Sequence, residues 1–172
     1  SNGWLDQMVF CFNPHESLYV THQDQLIPVP GDIDPADAVF LPNMESAVNF
    51  LMDGQPIIGE AVVVFGQGVV GLLAAAQLAT LPLSCLVSLD KWPLRRKKSL
   101  DAGAHFTWDP AAPDLQEKIA ALCESRSGNK NADLIYELSG NPEALNQAVE
   151  IAGFGTRIVI GSWYGTSQAI LD

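Results

Sequence analysis

VVVFGQGVVGLLAAAQLA, Val62 to Ala79, runs from a β-branched apolar segment through three glycines, at 66, 68 and 71, into a small-residue helix. A strand that turns into a helix leaves the first helical N–H groups unpaired at the positive end of the helix dipole. An anionic phosphate fits there only where no side chain blocks it. In this reading Gly66 permits the tight turn after Phe65, Gly68 lets the backbone approach a phosphate, and Gly71 allows close helix–strand packing, which Ala74, Ala75 and Ala76 also favour. Three glycines at this spacing are equally compatible with a packing turn that binds nothing, so the flanks decide.

The flanks are regular. Apolar, β-branched runs predict strands at 62–65, 85–89, 105–108, 134–138 and 156–160. Between them, residues 94–102 read as a helix ended by Gly103. Leu115, Ile119, Leu122 and Cys123 form one helical apolar face. Asn141-Pro142-Glu143 is a helix start with a cap, a proline and an acid in order. Leu145, Ala148, Val149 and Ala152 are its expected buried stripe, with Gly153 just past its end. Strands alternating with helices imply parallel strands joined by right-handed crossovers, and strands apolar on both faces imply helices on both sides. The expected class is α/β, a doubly wound parallel sheet.

Asp90 lies 19 residues past Gly71, at the end of the second of these strands. A carboxylate there can accept hydrogen bonds from both hydroxyls of an adenosine ribose, and it repels a 2′-phosphate, which favours NAD over NADP. Lys91, Arg95 and Arg96 follow it and offer positive charge to such a phosphate.

The first sixty residues differ. Short extended runs (8–12, 17–20, 26–29) are broken by Pro14, Pro28 and Pro30, and residues 35–53 read as helical with a break at Pro42. A boundary is placed between residues 30 and 31. Ser1-Asn2-Gly3 reads as a tag without weight in the fold.

Bulk properties narrow the partners. The chain has 172 residues, 48% of them apolar, and a formal net charge of −11, which argues against nucleic acid or an anionic membrane as partner. No apolar run reaches the ~18 residues of a membrane span. Cys11, Cys85 and Cys123 are odd in number and widely spaced, as in reduced thiols of a cytoplasmic protein. His22 and His105 show no partner in the sequence.

The chain as a whole resembles the medium-chain dehydrogenase/reductase family of the zinc alcohol dehydrogenase type. HESLYVTHQDQLIPVP (15–30) is similar to the end of that family's GroES-like catalytic domain. AVFLPNMESAVNFLMDG (38–54) resembles its linking helices, with Ser46-Ala47 where Thr-Ala is usual. IIGEAVVVFGQGVVGLLAAAQLA (57–79) and LDKWPLRRKKSLDAGA (89–104) match its glycine turn and the acid and basic residues that follow. ADLIYELSGNPEALNQAVEIAGFGTRIVIGSWYG (132–165) matches best.

The resemblance implies a Rossmann domain over 31–172, lacking a sixth strand, after a GroES-like remnant over 1–30. It further implies that Gly66, Gly68, Val69 and Gly71 form a pyrophosphate turn and that Asp90 and Arg95 meet the adenosine ribose. Ser139, Gly140, Gly161 and Ser162, with Ser46, are implied to line the nicotinamide side. The expected function is the nucleotide-binding part of an NAD(P)-dependent alcohol or carbonyl oxidoreductase. The zinc that assists it in the complete protein has its ligands outside this chain: Cys11 and His15 lack two further donors, and His15-Glu16 lies too close to Gly66 to be the family's zinc-site pair. No catalytic residue is assigned, and the chain alone is expected to be inactive. A zinc-free quinone-oxidoreductase-like reductase and a non-catalytic nucleotide-binding module remain alternatives, with a SAM-dependent methyltransferase more remote. The small-molecule dinucleotide is the expected partner, and the exposed edge of the fifth strand invites a homodimer.

Overall fold

A computed structural model describes residues 3–168. Ser1 and Asn2 of the expected tag lie outside the described residues. The chain forms two compact units, divided between Pro42 and Asn43.

The first unit holds an antiparallel pair, β1 (Val9–Phe10) and β2 (Ile27–Pro28), with Val9 opposite Pro28. Residues 17–20 form no strand, contrary to expectation. Their side chains are exposed, so they have no buried face to hold them in a sheet. Helix α1 (Pro35–Ala38) is capped by Asp34, whose side chain accepts from the Ala36 N–H at 2.7 Å. The next helix, α2 (Leu41–Gly54), starts before Pro42 rather than breaking at it. Pro42 lies in the first turn, where a missing N–H costs no hydrogen bond, and the interruption falls at Val39–Phe40.

The second unit is built on five strands: β3 (Ala61–Phe65), β4 (Cys85–Leu89), β5 (Phe106–Trp108), β6 (Ala132–Glu137) and β7 (Ala152–Ile160). They are connected through α3 (Val69–Leu78), α4 (Pro93–Asp101), α5 (Leu115–Ser127) and α6 (Pro142–Glu150). All pairings in this sheet are parallel, in the order β5-β4-β3-β6-β7. The doubly wound α/β class is what the alternation implied, and the reversal of strand order falls between β3 and β6.

Every residue of β3 is buried, because helices cover both faces of the central strand. Side chains alternate across it. Val63 and Phe65 pack with Leu115, Ile119 and Cys123 of α5 and Ala144 and Ala148 of α6. On the other face, Val62 and Val64 pack with Leu78 of α3 and Phe50 and Leu51 of α2. The register pairs Phe65 with Leu89 on one side and Glu137 on the other, so the strand ends that hold the candidate residues are level.

Two helix ends contrast. Gly103 sits at φ +104° after α4, as expected of a helix-ending glycine. Gly153 does not end α6. That helix stops at Ile151 in ordinary right-handed geometry, and Gly153 belongs to β7. Asn131 explains the glycine: its side chain lies 2.7 Å from where a Cβ would stand, and its Nδ2 donates to the Ala152 carbonyl at 3.2 Å. The stripe of α6 is correspondingly Ala144, Leu145 and Ala148 with Ile151; Val149 is exposed and Ala152 is already in the strand.

Candidate dinucleotide cleft

The glycine turn has the local geometry that its three positions require. Gly66 adopts φ +84°, and a Cβ there would stand 2.5 Å from the Ser139 Cα. A side chain is thus excluded twice, by conformation and by the neighbouring strand end. At Gly71 a Cβ would overlap the Gly66 carbonyl oxygen, so the helix reaches this distance from the turn only as glycine. Gly68 is different. Its backbone is extended (φ −71°, ψ −171°), and a Cβ would meet nothing within 4 Å. It caps α3 without any side-chain hydrogen bond, which leaves the helix start open toward solvent.

Asp90 is 95% buried yet lines the cleft in front of this turn. Its Oδ2 accepts from the Gln67 N–H at 2.8 Å and its Oδ1 from the Trp92 N–H at 2.7 Å. The carboxylate therefore fastens the glycine turn to the end of β4, a role that the sequence pattern did not disclose. Arg95 approaches Asp90 Oδ2 at 3.6 Å from a half-exposed position. Arg96 turns away, donating to the Asp90 carbonyl at 2.7 Å and pairing with Asp109 at 3.3 Å. Lys91 lies 5.4 Å over the Trp92 ring.

The cleft has a volume of about 200 Å³ and brings together Gly66, Gly68, Asp90, Lys91, Arg95 and Ser139. A second cleft, about 310 Å³, opens at the ends of β6 and β7. Ser46, Gly140, Gly161 and Ser162 line it, with Ser139 in both walls. Nine of the eleven candidate positions converge on two adjoining hollows; Val69, which begins α3, and Gly71 line neither, although Gly71 contributes from beneath through its close approach to Gly66.

Between these hollows the chain is stitched by Glu137, a residue that sequence reasoning missed. Its backbone carbonyl accepts from the Gly161 N–H at 3.0 Å and the Ser162 hydroxyl at 3.2 Å, and Ser162 Oγ accepts from the Gly140 N–H at 2.8 Å. Its carboxylate accepts from the Ser139 N–H at 2.8 Å, the Ser139 hydroxyl at 2.5 Å and the Tyr164 hydroxyl. Burial, then the hydrogen bond to Glu137 and its charge, push the Tyr164 phenol above its ordinary value, so it stays protonated as a donor. The signal in the sequence was an acid closing the apolar run Leu134-Ile135-Tyr136 at the end of β6.

His22 and His105 both have partners in the fold. His105 Nδ1 accepts from the Leu86 N–H at 3.0 Å, and His22 Nδ1 lies 2.8 Å from Asp24 Oδ1. Among the described residues, no three His, Cys, Asp or Glu side chains come together to hold a metal ion. Cys11, Cys85 and Cys123 are free thiols. No described helix is long and apolar enough to cross a membrane.

L-threonine 3-dehydrogenase of Bacillus subtilis is 30% identical over 131 residues, which are 76% of this chain and 36% of that protein. Sorbitol dehydrogenase 1 of Saccharomyces cerevisiae is 24% identical over 143 residues, 82% of this chain and 40% of the relative. The chain thus spans less than half the length of these curated relatives.

Among solved structures, a short chain alcohol dehydrogenase of Escherichia coli CFT073 complexed with NADH superposes with a TM-score of 0.74 at 22% identity, covering 88% of this chain and 43% of the other. A Sinorhizobium meliloti protein bound to NADP gives 0.75 at 23%, covering 87% and 43%. At these identities the superpositions establish the fold. The family described as zinc-binding dehydrogenase matches residues 69–171, more than half of the sequence, and the chain belongs to that family.

Proposed function

We propose that this chain is the nucleotide-binding part of an NAD(P)-dependent oxidoreductase that interconverts alcohols and carbonyls, with residues 31–172 as the dinucleotide-binding domain and 1–30 as the end of a GroES-like catalytic domain. The observation that carries this reading is the open glycine turn at the start of α3, locked to a buried acid at the end of β4. The relatives named as dehydrogenases support it.

The residues present fit a dinucleotide. Gly68 and Val69 offer backbone N–H groups and the helix dipole to a pyrophosphate, while Gly66 shapes the turn with its own N–H donated to the Leu89 carbonyl at 2.7 Å. Asp90 keeps lone pairs for ribose hydroxyls beyond the two N–H groups it already serves, and Arg95 neutralises charge beside it. Ser46, Ser139, Gly140, Gly161 and Ser162 border the adjoining hollow, where the second nucleotide half extends across the reversal of strand order. When bound, the nicotinamide supplies the hydride chemistry; these residues orient it and shield it from water.

Asp90 favours NAD, while Lys91 and Arg95 in the same cleft are the groups that a 2′-phosphate would use. The described residues do not fit a zinc centre, so no step is derived through that metal. We further propose that β7, an exposed border of the sheet, pairs with a second copy.

Separate titrations with NADH and NADPH, followed by nicotinamide fluorescence, test the cofactor reading. Saturable binding with NADH the tighter is the expected result, without turnover of alcohols by this chain alone. Absence of saturation with either cofactor overturns the reading, and tighter NADPH binding overturns the role given to Asp90.

A further inference from the structure

Glu137 carries a feature that stitching the strand ends does not require. Its backbone carbonyl already joins β6 to the turn after β7. Its carboxylate is wholly buried and receives three donors: the Ser139 N–H, the Ser139 hydroxyl and the Tyr164 hydroxyl. An oxygen pair that meets only donors is the arrangement of an ionised, acceptor-only carboxylate. Among the described residues, no lysine, arginine or histidine forms an ion pair with it. The donors spread the charge without cancelling it. Burying an uncompensated charge is costly, so an uncharged polar residue would make the cheaper anchor for the same loops.

The position of this charge suggests its use. Ser139, bonded to one carboxylate oxygen, forms part of the walls of both hollows. Trp163, next to Tyr164, lines the second. The charge therefore sits one hydrogen-bonded residue behind the wall of the hollow assigned above to the nicotinamide half. The oxidised nicotinamide ring is a cation and the reduced ring is neutral. A fixed anion shielded from water acts on the first and not on the second, and mobile ions in solvent screen it little.

Resting on the dinucleotide reading, we infer that Glu137 sets the preference between oxidised and reduced cofactor, its buried carboxylate stabilising the cationic ring across the Ser139 wall. The cations that line the neighbouring hollow, Lys91 and Arg95, lie beside Asp90 at the adenosine side and bear on both redox forms alike.

Calorimetric titration of NAD+ and NADH into the wild-type protein and into Glu137→Gln measures the ratio of the two affinities. Glu137→Gln keeps the shape and removes the charge; it is expected to weaken NAD+ at least fivefold relative to NADH. Equal loss of both, or a ratio changed less than twofold, overturns the inference and reduces Glu137 to a loop anchor. Tyr164→Phe keeps the charge and removes one of its donors, so the preference for NAD+ is expected to hold or rise. A fall in that variant overturns the inference even if Glu137→Gln does not fold. Wild-type protein that binds neither form overturns the dinucleotide reading itself, and the inference with it.

Discussion

At the scale of single residues, the glycine turn separates positions where glycine is a steric necessity from one where it is an opening. Gly71 belongs to the first kind. A methyl group there meets the Gly66 carbonyl oxygen, a backbone atom that no rotamer change can move aside. Gly71→Ala is expected to cost about 2–3 kcal/mol of stability, measured by urea unfolding, and to abolish NADH binding by shifting α3. Asp90 combines two tasks. In Asp90→Asn one backbone N–H faces an amide donor instead of a carboxylate oxygen, and the expected loss is about 1–3 kcal/mol. The same variant removes the charge that opposes a 2′-phosphate, so NADPH affinity should rise relative to NADH in the fluorescence titration. The spacing of Asp90 from Gly71 was legible in the sequence. Its bond to the Gln67 N–H was not, because backbone donors carry no sequence signal.

At the scale of elements, Arg157 ties three pieces together. From β7 it pairs with Glu60 ahead of β3 through two nitrogens, each 2.8 Å from a carboxylate oxygen, and donates to the Gly54 carbonyl at the end of α2 at 2.9 Å. Burial alone would raise the Glu60 carboxyl. The Arg157 hydrogen bond, the Ile57 N–H and the guanidinium charge outweigh it and hold the carboxyl below its ordinary value. A lowered carboxyl stabilises the fold above the unfolded glutamate pKa, and that contribution is lost as pH falls through the folded value. Glu60→Gln should therefore be less stable than wild type by about 1 kcal/mol at neutral pH. The difference should narrow as pH falls below the ordinary glutamate range and vanish only once the folded carboxyl is protonated, in parallel urea curves. Helices and strands themselves were readable from period and caps: Asn141 accepts from the Glu143 N–H as its motif implies. Gly153 was misread because a helix-ending glycine and one making room for Asn131 look alike without coordinates.

At the scale of the whole molecule, alternation of strands and helices was enough to fix a parallel sheet, and the acid after β4 was enough to locate a cleft. Glu137 escaped because its partners are set by how the ends of β6 and β7 fold together, with Tyr164 distant in sequence. The border strand β7 has nine residues against three in β5, and it exposes Phe154 and Ile160. Sedimentation equilibrium should show concentration-dependent self-association that Ile160→Lys weakens; a monomer at all concentrations contradicts the pairing. The strand order also bears on how the chain is made. Synthesis delivers β3, β4 and β5 first, so half the sheet can assemble while the β6 side of β3 is still bare. For as long as translation takes to reach residue 137, the most apolar strand of the protein presents an unpaired edge and uncovered side chains. That interval is when a ribosome-bound chain is most exposed to wrong partners and most in need of a chaperone.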